Sequence, residues 1–288
     1  GISVESRHSM SDIVISNNVI KELFVDTFSA HAIEVYSQLS TTEGCRNVVI
    51  ENNTITPMTV DASVSFAKDA HGIVFDVYNY AEDVRVVNNM VSKGGAPVDD
   101  NAWTYQRALT FHLQDTEKIH HLEVSGNTFK YTSVCAILFD IGTRTSALED
   151  FAMEYVNIVN NSIFCASGAL NPHDETGALR IIGEPSSSGG WFYFSDINFS
   201  NNNVSYKGIG LLFDINSQGT GRSNVRTFLI SGNTWTDELY LGTSGAPPAP
   251  VTIAFKRGTK SGFMGAMGYH DWYGVSIVNN VYNGVYTY

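Results

Sequence analysis

Charge is what this chain has least of. Only 16% of its 288 residues are Asp, Glu, Lys or Arg, and the balance is −12. No general nucleic-acid or anionic-membrane partner is expected, since both need dense positive charge. Apolar runs are short too: none reaches the about 18 residues of a membrane span. No basic start followed by an apolar middle marks a secretory leader. Cysteine is scarce, and Cys45, Cys135 and Cys165 are odd in number with no metal or redox spacing. They read as buried free thiols. Hairpin signals at roughly ten-residue intervals are missing, which argues against an antiparallel sandwich.

What the chain does have is one eight-residue segment written eight times. It reads IVISNNVI at 13–20, VVIENNTI at 48–55, VRVVNNMV at 84–91 and LEVSGNTF at 122–129. It returns as VNIVNNSI at 156–163, INFSNNNV at 197–204, FLISGNTW at 228–235 and VSIVNNVY at 275–282. Alternating apolar residues make a strand with one buried face. The following Asn-Asn or Gly-Asn suits a sharp left-handed bend. The second Asn recurs at 18, 53, 89, 127, 161, 202, 233 and 280, at spacings of 31 to 47. Such an irregular period fits a solenoid whose coils carry loops of unequal length. Stacked coil on coil, the Asn side chains are expected to form a structural hydrogen-bonded ladder.

Between these motifs lies a second series, each member reading small, apolar, any, apolar, any. It comprises 1–5 (GISVE), 32–36 (AIEVY), 72–76 (GIVFD), 108–112 (ALTFH), 136–140 (AILFD), 178–182 (ALRII), 210–214 (GLLFD) and 252–256 (TIAFK). Eight pentads alternating with eight Asn motifs predict eight coils. A shorter third strand follows each bend, at 19–24, 54–56 and 129–131 for example.

Three parallel sheets around one core, with an Asn bend between two of them, resemble the right-handed, single-stranded parallel β-helix of the pectate-lyase-like superfamily. That superfamily includes phage tailspike depolymerases. The expected fold is thus all-β, one domain over 1–288, taken as a fragment or processed part of a longer chain. The resemblance implies action on a polysaccharide outside the cell or on a virion, and a homotrimer. Asn-x-Ser/Thr sequons begin at Asn52, Asn160, Asn198 and Asn203. Two are assigned to the ladder, where a glycan is not expected to fit, which leans toward a bacterial or viral source.

Within a pentad, positions two and four are expected to point inward and one, three and five outward. The small first residues would leave an accessible strip. Position five, coil by coil, holds Glu5, Tyr36, Asp76, His112, Asp140, Ile182, Asp214 and Lys256. At about 4.8 Å per strand, Asp76 and Asp140 lie roughly 10 Å apart with His112 between them. Their carboxyls then fall near the ~6.5–9.5 Å separation of an inverting glycosidase, one acting as acid and the other as base. His112 is placed to tune either one. Glu34 is a further candidate carboxylate, diagonal to Asp76 at about 8 Å. Asp214 stands two coils beyond Asp140, and Arg180 between them can grip a substrate carboxylate. Tyr36, Trp103, Trp191, Tyr193 and Trp272 are candidate sugar-stacking residues on the face or in its bordering loops, as are Trp235 and others. The structural alternative is that the Asp residues cap turns and the rings pack loops.

Asn171-Pro172-His173-Asp174 is similar to the Asp-Pro-His-Asp motif of mannuronan C-5 epimerases, though the first residue departs. Three functions therefore compete. The leading one is a glycoside hydrolase, with no cofactor or metal. The second is a uronate lyase or epimerase using His112 or His173 with Arg180, with Ca2+ as cofactor in the lyase case. The third is a non-catalytic stalk or glycan-binding β-helix.

Overall fold

The computed structural model describes residues 1–6, 8–25, 29–37, 44–60, 68–93, 104–113, 116–130, 135–141, 150–164, 177–183, 191–206, 209–215, 222–237, 251–256 and 270–283. These form three sheets, in which every strand pairs in parallel with the equivalent strand of the coil before and after. The chain is a parallel β-helix solenoid.

The pentad sheet stacks eight strands, Ile2–Ser6, Ser29–Ser37, Lys68–Asp76, Thr104–His112, Cys135–Ile141, Gly177–Gly183, Ile209–Ile215 and Val251–Lys256. The motif sheet begins with Met10–Ser16, Cys45–Glu51, Asn79–Val87, Thr116–Ser125, Phe151–Val159 and Trp191–Ser200. It continues as two half-strands per coil, Arg222–Val225 with Phe228–Ser231, then His270–Trp272 with Val275–Val278. The third sheet is built of shorter strands from Val19–Val25 to Val281–Asn283.

The two residues of each Asn motif divide the bend between them. The first is left-handed and exposed: Asn17, Asn52, Asn88, Asn160, Asn201 and Asn279 have φ of 55–58°, and Gly126 and Gly232 have 65° and 64°. The second enters the core. The Nδ2 of each donates to the Oδ1 of the next, from Asn18 through Asn53, Asn89, Asn127, Asn161, Asn202 and Asn233 to Asn280, at 2.9–3.1 Å. The same Oδ1 also accepts the backbone N–H of the residue below it. Buried amides are costly unless paired, and here the pairing is continuous. One expectation is corrected by this division. The sequon residues Asn52 and Asn160 are the exposed members of their motifs, and it is Asn53 and Asn161 that are buried in the ladder.

A second left-handed column, unforeseen, bends the motif sheet in mid-strand. Asp12, Asn47, Asp83, His121, Tyr155 and Asp196 all have φ of 53–60°. The later coils break into half-strands at the same level.

The core fills as alternation predicts. Ile33, Val35, Ile73, Phe75, Leu109, Phe111, Ile137, Phe139, Leu179, Ile181, Leu211 and Phe213, positions two and four of their pentads, are fully buried. Phe75, Phe111 and Phe139 stack at 4.7 and 4.8 Å, nearly parallel. The smallest position behaves otherwise than expected: Ala32, Ala108, Ala136 and Ala178 are fully buried and belong to the core. Among the described residues Gly1 is exposed, but position one of the next six coils is buried, so no accessible strip runs along them. A Cβ added at Gly72 would meet Val91 Cγ1 at 2.5 Å and the Ala108 carbonyl at 2.7 Å. Position one faces inward at the corner between sheets, where packing leaves room only for small residues. Cys45 and Cys135 are buried free thiols, and burial pushes the Cys45 thiol up to about 12. Cys165 lies outside the described residues.

Candidate functional site

Register brings the predicted residues together on one face. Tyr36, Asp76, His112 and Asp140 are successive partners along the pentad sheet, followed by Ile182, Asp214 and Lys256. A parallel sheet in strict register aligns position five of every coil, so Tyr36 and Lys256, far apart in sequence, belong to one column. Position three forms a second column: Ser3, Glu34, Val74, Thr110, Leu138, Arg180, Leu212 and Ala254. A third column, one residue before the small position, contributes His31, His71 and Arg107.

These columns differ in access. Val74, Thr110, Leu138 and Leu212 are buried although they face away from the main core. Solvent reaches the face around Glu34 and His31, and again at His112 and Asp140, whose side chains are 26% and 42% exposed. The accessible part of the face thus includes the position-five residues His112 and Asp140 and the neighbouring pair His31 and Glu34.

Asp76 is altered by its setting. Burial raises its pKa first, and the charge of Glu34 adds to this, while His112 and His31 partly oppose the rise. Desolvation penalises the carboxylate, so the proton is retained to higher pH. Among the described residues no hydrogen bond is among the causes that shift this carboxyl. Asp140 faces His112, with Nδ1 and Oδ2 3.7 Å apart.

Glu34 is held on both oxygens. His31 Nδ1 lies 2.8 Å from Oε1, and Ser3 Oγ donates to Oε2 at 3.2 Å. His71, which with His31 and Arg107 precedes its pentad and is read from the sequence as a cleft-margin binder or a turn-packing residue, is buried, with Nδ1 2.9 Å from Thr110 Oγ1. Its ring lies edge-on to His31 at 5.2 Å and to His112 at 5.9 Å. Three imidazoles thus run in a chain across the face, linking the Glu34 end to Asp140. The sequence signal was present in the equal offset of His31 and His71 from their pentads, but nothing there distinguished a buried histidine from a marginal one.

Arg180 lies in register between Leu138 and Leu212, both buried. Its Nε is buried and has no hydrogen-bond partner among the described residues. Asp214 is half-buried in the position-five column.

The aromatic predictions scatter. Trp191 and Tyr193 do not sit in a loop beside this face: they open the motif-sheet strand Trp191–Ser200 and point outward from it. Their rings stack at 5.7 Å, with Phe192 and Phe194 turned into the core between and beyond them. The four-residue alternation is strand periodicity, mistaken in the sequence for a loop. Trp235 is a core residue, 1% exposed, lying 5.5 Å from Phe199. Trp272 ends the strand His270–Trp272, and its side chain lies outside the described residues. Trp103, His173 and Asp174 also lie outside them. Among the described residues no group of three or more His, Cys, Asp or Glu is arranged to hold a metal ion. No family model, curated protein or solved structure matches the chain.

Proposed function

We propose that this β-helix cleaves a polysaccharide as a glycoside hydrolase, using the position-five edge of its pentad sheet. The observation that carries the reading is Asp76. Burial and the neighbouring Glu34 charge favour its protonated form, and Asp140 stands two strands away across His112. Asp76 is assigned the general acid that protonates the glycosidic oxygen. The more exposed Asp140 is the base that activates water, with His112 orienting it. Two strand spacings, roughly 10 Å at the backbone, leave room for a sugar and a water between the carboxyls, the arrangement of an inverting enzyme.

Glu34 is a supporting charge that sustains the Asp76 proton, since its own oxygens are engaged by His31 and Ser3. Tyr36, in register with Asp76, and Arg180 are assigned to substrate binding, and Asp214 to the far end of the same edge. The reading places the chain with the pectate-lyase-like superfamily and its tailspike depolymerases, as a homotrimer acting outside a cell or on a virion.

The test is a screen of the protein against capsular and O-antigen polysaccharides. New reducing ends without the ultraviolet absorbance of an unsaturated sugar support hydrolysis. Appearance of that absorbance assigns a lyase using His112 and Arg180, and neither signal assigns a stalk.

A further inference from the structure

The mid-strand bend of the motif sheet contains an anomaly that the fold does not require. Of its six left-handed residues, Asp12, Asn47, Asp83, His121 and Asp196 are types enriched in this conformation, and the His121 ring meets Asp83. The next coil instead places Tyr155 there, at φ of 56°, beside His121 at 55°. Bulky residues in this region cost backbone energy, and such strain is retained where a site uses it.

The two rings are neighbours and both are exposed, His121 at 53% and Tyr155 at 47%. Their centroids are 5.2 Å apart with planes tilted by 38°. His120 braces them from behind, 3.9 Å from the His121 ring and edge-on to Tyr155 at 5.1 Å. Hydrogen-bond acceptors frame this ledge. Asp83, one coil below, has Oδ1 3.1 Å from His121 Nδ1, and the exposed Asp196 lies at the same level one coil above Tyr155. Glu154 stands beside Tyr155, accepting from Ser195 Oγ at 3.3 Å. Glu82 is already matched by Arg46 and Lys118 and adds little free charge.

We infer that this ledge binds a glycan, taking a neutral hexose unit. The C–H face of a pyranose lies across the Tyr155 and His121 rings, burying apolar surface, while the flanking carboxylates accept its hydroxyls. The acidic frame disfavours phosphate, nucleic acid and uronate. The inference does not rest on the pentad-sheet reading, for the ledge lies on a different sheet.

The experiment uses the full chain and six-sugar fragments of dextran, mannan and galactan, read by saturation-transfer difference NMR, with choline as a cation probe. Tyr155→Asn and His121→Asn install the residue that Asn47 supplies at the same level of another coil. At position 121 the amide can meet Asp83 as Asn47 Nδ2 meets Asp12 Oδ1, at 2.6 Å. The expected result is binding of at least one fragment, weakened at least about tenfold in either variant, with Tm unchanged or higher. No fragment bound, binding that survives both variants, a lower Tm with unaltered binding, or a Tyr155-dependent signal from choline alone would each overturn the inference.

Discussion

Asp76 and His112 stand directly opposite each other on neighbouring strands of the pentad sheet, and one lowers the proton affinity that burial raises in the other. If Asp76 is the acid of a hydrolase, Asp76→Asn removes the transferable proton without changing shape. Asp140→Asn removes the base. Each variant should lose at least about 100-fold in kcat/KM on the cleaved glycan, with an unchanged circular dichroism spectrum. Near-normal turnover in both would remove these residues from the mechanism.

The same carboxyl makes a stability prediction that needs no substrate. Its folded pKa is raised, so the native state binds the proton more tightly than the unfolded chain. The associated stability is present below the unfolded value of about 3.9 and is lost as pH rises through the folded value. At neutral pH the half-buried carboxylate is a burden that Asp76→Asn lifts. The variant should therefore melt higher than the parent at pH 7, and the two curves should converge as pH falls below about 3.9. A difference independent of pH would show that charge burial is not its cause.

How far the sequence reached depended on whether a residue sat inside a regular strand. There, alternation fixes parity, and recurrence of the pentad fixes register, so the alignment of Asp76, His112 and Asp140 was legible at once. At corners parity fails. Ala32 and Gly72 stand where the chain turns into the sheet, and both they and the residues after them face inward. Two adjacent asparagines look alike in sequence, yet a bend turns Asn52 out and Asn53 in. Burial of His71 and Val74 depends on what covers the sheet from outside, which a period in the sequence does not encode. The left-handed column through His121 and Tyr155 was invisible because, of its six residues, Asn47 alone carries the Gly or Asn signal that marks the other bend.

The inward-facing corner can be tested by adding one methyl group. At Gly72 a Cβ meets Val91 Cγ1 and the Ala108 carbonyl, and the second of these is backbone that cannot swing away. Gly72→Ala should destabilise by about 1–3 kcal/mol despite the general preference for alanine over glycine in unfolded-state entropy. An unchanged or raised urea midpoint would mean that the corner is loose, and that the small residues recur for another reason.

The ladder gives a sharper contrast because its two asparagines differ only in direction. Asn127 Nδ2 donates to Val86 O at 2.8 Å and to Asn161 Oδ1 at 3.0 Å, and its Oδ1 accepts from Asn89 at both nitrogens. Asn127→Ala strands several buried partners and should cost about 2–4 kcal/mol. Asn127→Asp keeps the acceptors but sets a carboxylate against two oxygens that need a donor. That carboxyl would hold its proton more tightly in the fold, so the variant should be least stable at neutral pH and regain stability toward acid. Asn160→Gly, at an exposed position with φ of 58°, should stay within about 0.5 kcal/mol of the parent. Equal losses at 127 and 160, measured by urea unfolding across pH, would refute the division of labour between ladder and bend.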